Sequence, residues 1–128
     1  MATRLYLIIM MAKQSRLVKE KDFQKIFKRG KSSYCQIFSI KILANELKAN
    51  RYGIVISTKV SKKAVERNKL KRQFREALKW FDKKLINGFD LVVVVFPAAL
   101  NQEYKFIKSE LEKILFILKL FKPKKKHV

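Results

Sequence analysis

Acid is scarce in this sequence. Ten Asp and Glu stand against 31 Lys and Arg in 128 residues, a formal net charge of +21. Self-repulsion of that order disfavours an isolated compact monomer and requires a partner that neutralises it. Nucleic acid is the commonest such partner, and an acidic membrane surface is second. A single cysteine, Cys35, excludes an internal disulfide and fits a reducing cytoplasm. Its plain reading is a small residue at the start of a strand. The one histidine, His127, sits in the tail. No carboxylate pair shares a helix face: Glu66 and Glu76 are about 80° apart on a helical wheel, and Asp90 heads an apolar run. These absences leave no ligand set for a two-metal nuclease. The apolar run Leu5 to Ala12 is eight residues long, too short to span a bilayer. Glycine numbers only three, and lysines outnumber arginines 24 to 7, a bias typical of an AT-rich coding genome.

What is present suffices for one domain. Apolar residues make up 48%, with ten phenylalanines, at a length suited to a single core. We divide the chain into an extension over residues 1–12, a domain over 13–121 and a basic tail over 122–128. The extension is read as disordered. Met1, Met10 and Met11 are all candidate starts, with Met11 favoured.

Val18 to Arg29 carries Phe23, Ile26 and Phe27 at helical spacing, with acids in the first turn and bases in the last. Gly30 is placed to end that helix in a left-handed conformation. Cys35 to Leu43 alternates as a strand, Phe38, Ile40 and Ile42 on one face, Ile37, Ser39 and Lys41 on the other. Arg51 to Ser57 is a second strand whose Gly53, Val55 and Ser57 leave a small-residue face. Phe89 to Phe96 is rich in β-branched valine and nearly all apolar, as expected of an interior strand covered on both faces, and Pro97 ends it. Asn101 is placed as the N-cap of a last helix with a stripe of Ile107, Leu111, Ile114, Leu115 and Leu118. The expected fold is an α/β (α+β) two-layer sandwich in the order α-β-β-α-β-α, with one further short strand possible. Its sheet is mixed, and a crossover helix carries the basic motif.

That motif, Ser57 to Lys79, holds nine bases and two acids, 9 − 2 = +7. The spacing predicts a helix from Lys63 to Asp82. Leu70, Phe74, Ala77, Leu78 and Phe81 share an arc of about 100°, and Asn68, Lys69, Lys71, Arg72, Arg75 and Lys79 fill the other side. Before Leu70 the helix is expected to overhang the core. Lys63, Arg67, Lys71 and Arg75 form an i, i+4 ladder of like charge, where a solvated surface helix would interleave glutamates. Phosphate binding is the favoured reading of the ladder.

The string GIVISTKVSKKAVERNKLKRQFREALKWF resembles the protein subunit of bacterial ribonuclease P. Arg67, Asn68 and Lys69 occupy its Arg-Asn-Arg triplet, Lys71 and Arg72 its Lys-Arg pair, Arg75 and Glu76 its Arg-Glu. RLVKEKDFQKIFKRGK upstream and FDLVVVVFPAA downstream resemble the family's opening helix and following strand. The triplet departs from the pattern at Lys69, where lysine keeps the charge and loses the bidentate fork. The resemblance implies a cytoplasmic endoribonuclease subunit for tRNA 5′ processing, assisting a catalytic RNA, with chemistry and Mg²⁺ residing mainly on that RNA. It implies contact with the catalytic RNA through Lys59, Lys62, Lys63, Arg67, Asn68, Lys69, Lys71, Arg72 and Arg75. It implies a cleft for the single-stranded leader of precursor tRNA lined by Phe23, Phe27, Lys41 and Val55. Read from spacing alone, the two phenylalanines fit core packing as well as base stacking. Neither a membrane nor DNA is the expected partner. A structural, ribosomal-type RNA-binding protein and a peripheral membrane protein remain as other readings.

Overall fold

The computed structural model describes residues 7–9 and 20–123. The elements run β1 (Leu7–Ile9), α1 (Glu20–Arg29), β2 (Lys31–Tyr34), β3 (Phe38–Ala44), β4 (Arg51–Ile56), α2 (Ala64–Asp82), β5 (Phe89–Val95) and α3 (Tyr104–Ile117). The strands form one sheet in the order β1-β4-β5-β3-β2. Only β4 and β5 are parallel, and α2 is the crossover between them.

Alternation sorts the side chains as expected. Phe38, Ile40 and Ile42 of β3, Tyr52, Ile54 and Ile56 of β4, and Leu91, Val93 and Val95 of β5 bury one face against α2 and α3. Phe38 and Phe74 meet edge to face at 5.7 Å. The α3 stripe is buried throughout. The opposite face carries a smaller cluster in which Phe23 and Ile26 of α1 rest on Val55 and Val92. The sheet with α2 and α3 accounts for the two expected layers, and α1 adds partial cover on the far side.

Several local expectations change. Leu7–Ile9, assigned to a disordered extension, is an antiparallel edge strand with Ile8 opposite Val55; pairing there satisfies the open edge of β4. Residues 1–6, 10–19 and 124–128, with the Val18 start expected for the first helix, lie outside the described residues. The further short strand is β2, paired with β3. The turn between them includes Cys35, whose N–H bonds Phe38 O at 2.9 Å. The turn takes Ile37 out of the alternation and into the larger core. Gly30 does not adopt positive φ. It is needed because a Cβ there would lie 2.4 Å from Ile26 O and 2.9 Å from Ile42 O. Asn101 is not the cap of α3. It takes a left-handed φ of 68°, which its short amide tolerates, and the helix starts three residues on, after Glu103.

Candidate nucleic-acid interface

The connection into α2 is fixed by its own side chains. Ser57 Oγ accepts the Lys59 N–H at 3.2 Å and Ser61 Oγ accepts the Lys63 N–H at 3.1 Å. Such serine turns stiffen a short loop. Val60, 5% exposed, plugs the loop into the core. Lys59, Lys62 and Lys63 are consequently held outward, all exposed. No side chain caps α2 at Lys63, so its free N–H groups add positive potential to that end.

The helix divides as expected at Leu70. Leu70, Phe74, Ala77, Leu78 and Phe81 are buried, and residues 64–69 are not. Asn68, Lys69 and Arg72 are exposed, and Arg75 is half-buried. Two residues depart from the expectation. Arg67 does not project freely: its Nη1 donates to Ser61 O at 2.8 Å, and its Nε is buried with no acceptor. Lys71, assigned to the polar side, is 7% exposed. It lies only about 20° beyond Leu78 on the wheel, at the margin of the docked stripe. Desolvation pushes its ammonium pKa down, and the charge of Arg67 pushes it further.

No carboxylate among the described residues relieves this. Glu66 accepts the Ser61 hydroxyl at 2.5 Å. Among the described residues the ion pairs are Arg51–Asp22, Arg51–Asp90 and Lys113–Glu110, and none involves α2. An orphaned guanidinium N–H beside a desolvated ammonium is an arrangement that an anion would satisfy.

The second surface lies across the sheet. Its four expected residues come together, with unequal access. Phe23 and Val55 are 4% and 1% exposed and belong to the small core under α1. Phe27 and Lys41 are half-buried at its rim. Lys41 Nζ donates to Phe27 O at 2.9 Å and stands 5.5 Å from the Phe27 ring centroid. Ser39 and Val94, also half-buried, share that face of the sheet. Val94 was missed because, after Asp90, the FDLVVVVF run is apolar at every position and does not mark which of its valines lie on an open side.

Comparison with known proteins gives the family of this chain. The family profile Ribonuclease P matches residues 11–119. The ribonuclease P protein component of a Synechocystis strain is 36% identical over 103 residues, covering 80% of this chain and 83% of that protein. Its counterpart from a Clostridium botulinum strain is 34% identical over 104 residues, covering 80% and 93%. The solved Staphylococcus aureus RNase P protein superposes with a TM-score of 0.77 at 34% identity, covering 84% and 98% of the two chains. The Thermotoga maritima RNase P protein gives 0.72 at 33% identity, covering 78% and 94%.

Proposed function

Because this chain belongs to the ribonuclease P protein family, we propose that it is the protein partner of a catalytic RNA that removes the 5′ leader from precursor tRNA. The observation that carries this reading is the ladder Lys63–Arg67–Lys71–Arg75. Among the described residues it has no carboxylate partner, and Arg67 Nε and Lys71 are desolvated within it. Phosphates of the catalytic RNA meet that need, with Lys59, Lys62, Asn68, Lys69 and Arg72 extending the contact.

The leader of the precursor lies on the other face, against Phe27 and Lys41. An aromatic edge with a cation beside it holds unpaired nucleotides of any sequence. Phe23 and Val55 support that rim from beneath. Cleavage is assigned to the RNA. Among the described residues no group of three or more His, Cys, Asp or Glu could hold a metal ion, and the basic face of α2 repels one. In this reading Mg²⁺ is held mainly by RNA phosphates, and the protein lowers the Mg²⁺ needed by neutralising charge. No helix among the described residues is long and apolar enough to cross a membrane; the cytoplasm, where precursor tRNA is made, is the assigned compartment.

Reconstitution tests the reading. Purified protein added to the cognate catalytic RNA is expected to restore cleavage of precursor tRNA at low Mg²⁺. RNA binding without stimulation would instead identify a structural RNA-binding protein. Phe27→Ala is expected to weaken leader-bearing precursor more than mature tRNA; an equal loss for both returns Phe27 to the core.

A further inference from the structure

The C-terminal turn of α2 presents the chain's single tryptophan. Trp80 is 55% exposed, on the side of α2 that faces α3. Two ammonium groups from different helices converge on it. Lys108 Nζ of α3 stands 3.8 Å from the indole centroid, and Lys84 Nζ, one turn beyond Trp80, stands 4.8 Å from it. The ring borders a recess of about 530 Å³ lined by Glu76, Lys79, Trp80, Lys83, Lys84 and Tyr104.

Three readings compete. The simplest is a staple, in which cation–π attraction ties α3 to α2. A staple needs one lysine. A second ammonium over the same ring adds like-charge repulsion, and Lys79 and Lys83 add more. Four lysines here face one glutamate, Glu76, and none of them makes an ion pair among the described residues. Glu112, one turn beyond Lys108, leaves it unpaired too. The second reading is an acidic protein segment. The third is an RNA strand, which offers the same negative charge together with a flat base for the exposed indole.

We propose that Trp80, Lys84 and Lys108 form a further RNA site, which takes an unpaired nucleotide of the catalytic RNA. Its phosphate bridges the two ammonium groups and its base or ribose packs on the open part of the indole. The catalytic RNA is chosen over the leader by position. Lys79 and Lys83 connect Trp80 to Arg72 and Arg75 along α2, whereas Phe27 and Lys41 lie across the sheet. The proposal thus rests on the reading of α2 given above and extends that contact onto α3.

The single tryptophan provides the test. Indole fluorescence of the full chain is followed while it is titrated with the cognate catalytic RNA, with a leader oligonucleotide, or with polyglutamate. Strong quenching by the catalytic RNA, and little by the other two, is the expected result. Lys84→Ala/Lys108→Ala is expected to weaken catalytic RNA binding about tenfold and lower the salt slope by about 0.7, the value for one single-strand phosphate. Lys84→Arg/Lys108→Arg is expected to retain both. Circular dichroism confirms that each variant is folded. Equal quenching by polyglutamate, or a folded alanine pair with unchanged affinity and slope, overturns the proposal. Because the alanine pair keeps the ladder, it is expected still to support cleavage at raised RNA concentration. Loss of stimulation by the unaltered protein would instead overturn the function proposed above.

Discussion

Arg51 and Arg67 are both half-buried arginines, and their surroundings are opposite. Arg51 is met by Asp90 through two bonds, from Nε at 2.7 Å and Nη2 at 2.6 Å, while Nη1 reaches Asp22 of α1 at 3.5 Å. Asn45 donates to the same Asp90 at 2.9 Å. Its guanidinium pKa is raised, chiefly by the bond to Asp90. Arg67 has one carbonyl, an orphaned Nε and a lysine for a neighbour. Arg51 has its counter-charges within the chain and joins α1, β4 and β5. Arg67 leaves its demand open. The difference separates a charge used for folding from a charge kept for a ligand.

Four substitutions test that separation. Asp90→Ala strands Arg51 in a half-buried site and is expected to cost about 3 kcal/mol, read by denaturant unfolding; a loss below 1 kcal/mol would make Asp22 and water sufficient partners. Arg67→Ala is expected to leave the unfolding midpoint nearly unchanged and weaken catalytic RNA binding roughly tenfold, as for one charge-assisted bond. Parallel losses in stability and binding would erase the contrast with Arg51.

Lys71→Met is expected to raise stability by about 1 kcal/mol, because it removes a desolvated, repelled charge, and to weaken RNA binding. The pH dependence has a definite sign. The Lys71 pKa is lowered in the folded state, so the unfolded chain binds more protons between that depressed value and the ordinary 10.5. The charge penalty is present below that window and is relieved as pH rises through it. The advantage of Lys71→Met should therefore shrink on raising pH, and a constant difference would contradict the assignment. The smallest effect belongs to Lys69→Arg. Lys69 is exposed, so restoring a bidentate fork is expected to tighten RNA binding by no more than about threefold with no change in folding.

How much of this was legible in the sequence depends on the range of the contacts. The buried face of β3 followed from period-two spacing, and the docked half of α2 from its apolar stripe. Both are local patterns. β2 was not legible in detail because Lys31–Tyr34 buries no residue and shows no apolar alternation. β1 was hidden because a short apolar run has no partner until the edge of β4 is known. The Arg51–Asp90 pair spans 39 residues and exists because the parallel register sets those two residues side by side. The meeting of Trp80 with Lys108 similarly needs the packing of α2 on α3. The basic face of the candidate site was readable by type and spacing. The burial of Lys71 was not, because a lysine 20° outside an apolar stripe can dock or point away.

The parallel pairing of β4 with β5 has a kinetic consequence. No tight turn can join parallel strands, so the whole stretch from Ser57 to Gly88 must be gathered before the central ladder closes. That stretch carries the like-charge ladder of α2. A non-local step of folding is thus also one opposed by self-repulsion within the segment it must gather. Salt and RNA should act on this chain as accelerators of folding, helping the nascent protein to close its sheet around the helix that will later hold the RNA.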